Sequence, residues 1–337
     1  MKNISEVWEK GRNFLGVEYP IISGAMTWIS DYDLVKAVSD NGAFPVLAGG
    51  NMPPELFEKE LDRCIENIKK PFAVNLITIA PNYQNHINIV KDKDVKFVVF
   101  AGGFPKLREI EAIKSTGKKT MAFASTESIA KMMINYGVDG LILEGNEAGG
   151  HIGYVSLIVL LQQVLFEIDQ FPVFVAGGIG TGRMIAHLLL MGASGVQLGT
   201  RFVMSDECTA HPKFKEAFKK AKARTAISTP QMSSNLPVVA VRALNNKAMD
   251  NFGKLQFELL EKLKNEDISR IDAQYEVEAF WAGTLRNAVV DGDIEYGSLM
   301  AGQSVGLAKK VQPLKEIITE LVSDAENEIL RVKNLLC

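Results

Sequence analysis

The sequence predicts a (β/α)8 TIM barrel carrying a mainly helical C-terminal extension or lid. Three observations predict it. Short apolar, often β-branched runs recur between Pro20 and Leu198 at roughly the 20–30-residue pitch of a βα unit. The runs are near-continuously apolar, as strands buried on both faces of a parallel sheet are. Most of them end in glycine or a polar residue, at the face where a barrel builds its active site.

The strands fall at residues 20–23, 44–48, 72–77, 97–101, 120–124, 140–143, 172–176 and 195–198. Each gap has room for a helix. Residues 31–41 open with an acidic first turn, and 53–68 open with prolines, which suit a helix start. Residues 127–136 and 184–191 stop before Gly137 and Gly192, in the glycine C-cap pattern. An open doubly wound sheet is the competing architecture. It usually carries GxGxxG after its first strand, and neither that motif nor GxxxxGK[ST] occurs. The rhythm then changes, with helices expected at 208–223, 249–264, 276–290 and 308–332, and a turn-rich loop at 229–237. Residues 14–205 are therefore read as the barrel, and 206–337 as an extension packing on it and covering the substrate site. The 316–332 stretch is amphipathic and is read as a helix packed on the barrel.

Composition narrows the function classes. Of 337 residues, 47% are hydrophobic and 23% charged, which is ordinary for a globular chain. Net charge is −3 with no long run of one sign, so nothing points to nucleic acid. Cys64, Cys208 and Cys337 are isolated from one another and from histidine, which argues against a disulfide framework, structural zinc or a four-thiolate cluster. No metal site is predicted. The N-terminus lacks an apolar signal core and no apolar run is long enough to span a bilayer, so no membrane partner and a reducing cytoplasm are expected.

The stretch Glu144-Gly-Asn-Glu-Ala-Gly-Gly-His-Ile-Gly153 carries the most chemistry. It follows the sixth strand and gathers carboxylates, close-approach glycines and a histidine able to move a proton near neutral pH. Of the four histidines only His151 sits in such a loop. His86 is expected at a polar loop or helix start near the mouth, His187 packed or satisfied in an apolar helix, and His211 capping a turn before Pro212. After the seventh strand, Ala176-Gly-Gly-Ile-Gly-Thr-Gly182 leads into a helix. The eighth closes with Gln197-Leu-Gly-Thr-Arg201. Exposed backbone N–H groups at a helix start form an anion site, and phosphate sites recur after the last two strands of barrels. A phosphate-bearing ligand is predicted there.

These motifs, with Tyr19-Pro-Ile-Ile-Ser-Gly-Ala-Met26, Pro71-Phe-Ala-Val-Asn-Leu76, Ala210-His-Pro-Lys-Phe-Lys215 and Gly297-Ser-Leu-Met-Ala-Gly-Gln303, resemble in order and spacing the FMN-dependent family of nitronate monooxygenases and FabK-type enoyl-acyl-carrier-protein reductases. The resemblance runs from about residue 14 to 311. It implies FMN as cofactor, with Asn75, Glu144 and Gly149 on the ring and ribityl chain. Gly177, Gly178, Gln197, Leu198, Gly199 and Thr200 would take the phosphate end, and Gly24, Ala25 and Met26 would lie along the isoalloxazine. It implies His151 as the catalytic residue. Two chemistries fit: reduction of a trans-2-enoyl thioester, free or on acyl carrier protein, with NADH or NADPH as co-substrate, or oxidation of an alkyl nitronate with oxygen. Glu rather than Gln at 144 and the 297–303 segment look more like the reductases. Residues 101–105 and the 229–237 loop fit less cleanly. A homodimer is compatible with either. An acidic carrier protein would need a basic patch, for which Arg201, Arg242 and the lysines of 213–222 are candidates. Inosine-monophosphate-dehydrogenase-like barrels need a nucleophilic cysteine after strand six, and none is there. A flavin-binding scaffold without catalysis is the non-enzyme alternative, against which His151 in its glycine loop argues.

Overall fold

The computed structural model describes residues 6–168, 171–236 and 238–336; Pro237 and Cys337, on which two sequence expectations touch, lie outside them. Eight parallel strands close into a barrel: β1 (Ile21–Ser23), β2 (Phe44–Leu47), β3 (Ala73–Ile77), β4 (Phe97–Ala101), β5 (Lys119–Ala124), β6 (Gly140–Glu144), β8 (Val173–Ala176) and β9 (Gly195–Leu198). β9 pairs back onto β1, with Gln197 opposite Ile22. A two-residue strand, β7 (Gly150–His151), interrupts the sequence order and belongs to a second, three-stranded sheet.

Strand alternation fills the barrel and places its cavity. Successive side chains point to opposite faces of a strand. Phe44, Phe97 and Phe174 fill the interior together with Ile22, Val46, Val99, Met121 and Ile142 in one buried cluster. Continuing the same inward register upward brings Asn75, Phe123, Glu144 and Gln197 to the floor of the open end. A helix the sequence reading did not anticipate, α1 (Glu9–Leu15), closes the opposite end. Its Phe14 ring lies 5.6 Å from Phe97, edge to face, and 5.9 Å from Phe174. Lys119 covers Phe14, with Nζ donating to the Phe14 carbonyl at 3.1 Å.

The outer ring is α2 (Tyr32–Asp40), α3 (Pro54–Asn67), α4 (Tyr83–Asp92), α5 (Leu107–Lys114), α6 (Glu127–Asn135), α7 (Leu157–Leu160, continued by a π turn) and α8 (Gly182–Leu190). Side chains cap several starts: Asp31, Thr126 and Thr181 accept from the N–H groups of Leu34, Ile129 and Met184. Of the two placements expected for His86, the structure shows the helix start: it lies in the first turn of α4, fully buried, with Nε2 3.0 Å from the Met52 carbonyl. Its apolar neighbours hold it there: the ring sits 4.7 Å from Phe57.

The chain continues through α9 (Thr200–Val203), α10 (Pro212–Lys220), β10 (Ala226–Ser228), β11 (Val241–Leu244), α11 (Lys247–Lys264), α12 (Arg270–Val289) and α13 (Leu314–Leu336). The helix expected over 208–223 is shorter because His211 caps it, Nδ1 accepting from Lys213 N–H, and Pro212 takes the first helical position. The helix expected from 308 starts at Leu314, after Gln312 bridges to Ser205. The strands of the second sheet replace part of what reads as loop. β11 pairs antiparallel with β10 and β7, so Val241 faces His151. α11 and α12 share a separate core in which Phe252 lies 4.5 Å from Trp281. Among the described residues, no helix is long and apolar enough to cross a membrane.

α13 lies along α8, and one carboxylate ties the seam. Glu328 meets His187 Nε2 at 2.8 Å, Arg183 Nε at 3.1 Å and Arg331 at 2.6 Å. Hydrogen bonds from Arg331 first, then from His187 and Arg183, hold its carboxyl down at about 2 despite desolvation. A depressed folded value means the stabilisation is present above the ordinary carboxylate range. It is lost as pH falls from about 4.5 through 2. Glu328→Gln should therefore lower the melting temperature at pH 7 by on the order of 2–4 °C, with the gap to wild type closing in acid. The cations are half exposed and screened, which keeps the effect modest. An equal gap at pH 7 and pH 3 in thermal melts would contradict this role.

Candidate active site

The open end of the barrel holds a cavity of about 560 Å³, within the size range of small-molecule sites. Every residue assigned a site role from sequence lines it. Gly24, Ala25 and Met26 form one wall after β1, Asn75, Glu144 and Gln197 the floor, and Gly149 and His151 the loop beyond β6. Gly177 and Gly178, with Leu198, Gly199 and Thr200, form the remaining rim.

Gly177 and Gly149 show why glycine is needed at these positions. Gly177 has φ +97°, closed to most side chains, and a Cβ there would stand 3.0 Å from the Gly145 carbonyl oxygen. Gly149 is pressed against the extension: a Cβ would lie 2.4 Å from Gly302 N and 2.5 Å from Ala301 C. This contact brings residues 301–304 to the cavity, where Gly302 N–H donates to Thr200 Oγ1 at 3.1 Å and Ser304 joins the lining.

The 144–153 loop is held at many points. Asn146 Nδ2 donates to the Gly153 carbonyl at 2.9 Å, and Glu147 accepts from Leu157 N–H at 3.0 Å. Arg242, buried on β11, donates to Asn146 Oδ1 at 2.8 Å, to the Asn146 carbonyl at 3.1 Å and to the Ala226 carbonyl at 2.6 Å. Ile152 N–H donates to the Ala240 carbonyl at 2.8 Å. Arg242 is thus a strut, not part of a surface patch. Arg201 is likewise buried and bound to Glu320 at 3.0 Å. The two arginines offered as a docking patch are spent inside the protein, while Lys219 and Lys220 of α10 are exposed beside Glu216.

The fourth wall comes from α12. Glu278, Trp281, Ala282 and Leu285 recur at helical spacing on its cavity face. Trp28, at φ 65°, donates from Nε1 to the Ala282 carbonyl at 3.0 Å and fastens the β1 loop to this helix. Glu278 is 4% exposed, and its Oε1 lies 3.1 Å from His151 Nε2. Its Oε2 is buried with no hydrogen-bond partner. The sequence reading missed these residues. The available signal was a glutamate on the apolar Ala273–Val277–Trp281–Leu285 face of a helix.

Charge in the cavity is unusual. Glu144 lines the cavity, and desolvation raises its carboxyl to about 8, opposed by His151. Burial therefore favours its protonated form. For His151, desolvation disfavours the cation, but the charge and hydrogen bond of Glu278 outweigh it and raise its proton affinity. Cys64 and Cys208 are buried, their thiols pushed up by desolvation, and neither lines the cavity. Among the described residues, no group of three or more His, Cys, Asp or Glu is placed to hold a metal ion.

The residues fit a flavin nucleotide. Left-handed glycines and bare backbone surround one end, neutral amide and carboxylic groups the middle, and Ile77, Ile79, Phe104, Val239 and Trp281 the apolar remainder. Such a barrel mouth beside a histidine suits an oxidoreductase of the flavin-dependent class. Comparisons with known proteins agree. The model of the nitronate monooxygenase family matches residues 9–82 and 76–324. A Rhodococcus jostii protein described as (3aS,4S,5R,7aS)-5-hydroxy-7a-methyl-1-oxo-octahydro-1H-indene-4-carboxyl-CoA dehydrogenase is 27% identical over 336 residues, covering 94% of this chain and 95% of that one. A probable nitronate monooxygenase of Staphylococcus aureus is 24% identical, covering 97% and 100%. The solved structure of FabK from Thermotoga maritima superposes with a TM-score of 0.85 at 32% identity, over 96% and 98% of the two chains. The chain belongs to the nitronate monooxygenase family.

Proposed function

We propose that this protein is an FMN-dependent enoyl thioester reductase that takes its reducing equivalents from NADH or NADPH. The observation that carries the reading is the continuity of one cavity from the glycine cradle, past His151, to a wall of Ile77, Ile79, Phe104, Val239 and Trp281. An acyl chain would fill that wall; a small nitronate would leave it empty. The 32% identity to FabK over nearly the whole of both chains supports the same side of the family.

Bound FMN would supply hydride transfer between nicotinamide and substrate. Asn75 donates from Nδ2 to the Val99 carbonyl at 3.3 Å, which leaves its side-chain oxygen for the ring. Gln197 and neutral Glu144 flank the same position. The backbone of Gly177, Gly178, Gly199 and Thr200 would hold the phosphate. Trp281 and Leu285 exclude water over the reacting carbons, and His151 meets the thioester end of the substrate. The two readings separate on turnover: crotonyl-CoA should drive NAD(P)H oxidation, and an alkyl nitronate should support little oxygen uptake. The reverse pattern would assign the nitronate chemistry, which the family model and the Staphylococcus aureus relative favour. A physiological thioester on acyl carrier protein would dock through exposed lysines such as Lys219 and Lys220.

Glu144→Gln is expected to retain FMN at pH 7 within about threefold, under ~1 kcal/mol, because it replaces a neutral acid by a neutral amide. Above pH 8 wild type should release FMN more readily than the variant, since ionisation removes a donor and buries a charge. Flavin fluorescence on dilution measures both. Equal release by the two proteins at pH 9 would mean that Glu144 does not meet the flavin.

A further inference from the structure

Glu278 has no role in the reading of the cofactor site, yet it is a nearly fully buried carboxylate in the substrate cavity, with one oxygen on His151 and the other without a hydrogen-bond partner. A buried carboxylate with a single partner is strongly unfavourable unless that partner carries a charge. The groups around His151 reinforce this. Glu144, from β6, is the other acid facing it. Arg242, from β11, is turned away onto Asn146 and Ala226, and Glu147 is bound to Leu157 N–H. Among the described residues, His151 is the one placed to balance Glu278. Its backbone is fixed independently, by pairing of Val241 with His151 and of Arg242 with Gly150.

We propose that Glu278 is a positioning residue that keeps His151 as an imidazolium, with Nε2–H directed to the carboxylate, so that Nδ1–H faces the substrate as a donor and His151 works as an acid rather than a base. This rests on the reductase reading only for its chemical use. Hydride addition at the β-carbon of an enoyl thioester leaves an enolate whose α-carbon must take one proton. Nδ1–H would supply it: the N–H bond breaks, a C–H bond forms, and neutral His151 recovers its proton from solvent. An enzyme abstracting a proton from a nitroalkane would need the opposite, a neutral imidazole at rest, and Glu278 works against that.

The pair also makes the extension part of the chemistry, because the histidine comes from a barrel loop and its counterion from α12. The first test needs no substrate. In the flavin-loaded protein labelled with 15N-histidine, with His151 assigned by the signal lost in His151→Asn, both ring nitrogens should be protonated at pH 7. A single neutral tautomer there overturns the proposal, whatever the protein's substrate is. The second test is Glu278→Gln, which should move the His151 titration midpoint, and the alkaline limb of kcat/KM for crotonyl-CoA, down by at least about one pH unit. That is roughly a tenfold loss above both midpoints and little loss well below them. Glu278→Asp should restore part of the shift. A pH-independent loss in Glu278→Gln, with the midpoint unmoved, would reduce Glu278 to a structural residue. If Glu278→Gln fails to fold, the wild-type nitrogen shifts alone decide. If they support the pair and crotonyl-CoA is not turned over, it is the reductase reading that fails.

Discussion

His151→Ala should lose about 10²–10⁴-fold in turnover of the enoyl thioester, the range of a positioned proton donor, while keeping its flavin. His151 Nε2 is 3.1 Å from Glu278, and the ring stands among the cavity residues with no other histidine beside it. Removing it leaves Glu278 buried with nothing to balance its charge, which costs stability as well as activity. The double variant His151→Gln/Glu278→Gln separates the two effects. It should recover stability relative to His151→Ala but not turnover. Anaerobic reduction by NADH should change little in either variant, because the loss falls on the substrate half-reaction. Full turnover with normal substrate affinity in His151→Ala would remove the histidine from the mechanism.

Gly149→Ala should be among the most damaging single-methyl changes at the cavity. The added carbon would lie 2.4 Å from Gly302 N and 2.5 Å from Ala301 C, both backbone atoms that no rotamer can move aside. Overpacking of this kind costs roughly 1–3 kcal/mol. The consequence is local as well. Residues 301–304 would be pushed off the cavity, breaking the Gly302 N–H bond to Thr200 and the Gln303 N–H bond to the Glu147 carbonyl. FMN retention should therefore fall together with the unfolding midpoint. Gly283→Ala is the control: it lies in α12 with open space at its Cβ and should be neutral or stabilising by up to about 1 kcal/mol. A Gly149→Ala protein as stable and as yellow as wild type would show that the extension does not seat on this loop.

The barrel was legible because its evidence is local. Each strand is a short apolar run bounded by turn residues, and the observed limits coincide with the expected ones at Phe97–Ala101 and Gly195–Leu198 and differ by a residue elsewhere, as at Ala73–Ile77. The polar strand ends at Asn75 and Glu144 were legible locally, whereas Gln197 came only from the family resemblance; the structure brings all three to the cavity. What escaped depends on contacts between distant segments. β7 is two residues long, too short for any period, and exists only because β11 pairs with it. α1 carries Phe14 and Leu15 into the barrel's base, a role set by the hole it fills rather than by its own pattern. Glu278 gains meaning only from His151, 127 residues away. Arg201 and Arg242 read as surface cations until the acceptors around them are known.

The central claim, that the barrel mouth binds FMN and passes reducing equivalents to an enoyl thioester, is tested most directly by following the flavin itself. The purified protein, reconstituted with FMN if necessary, would be mixed with NADH or NADPH without oxygen, freed of excess nicotinamide and then given crotonyl-CoA. The account predicts bleaching of the flavin absorbance by one of the two nicotinamides and its rapid return on addition of the thioester. A flavin that neither nicotinamide bleaches but an alkyl nitronate does, with recovery only on admission of air, would contradict it.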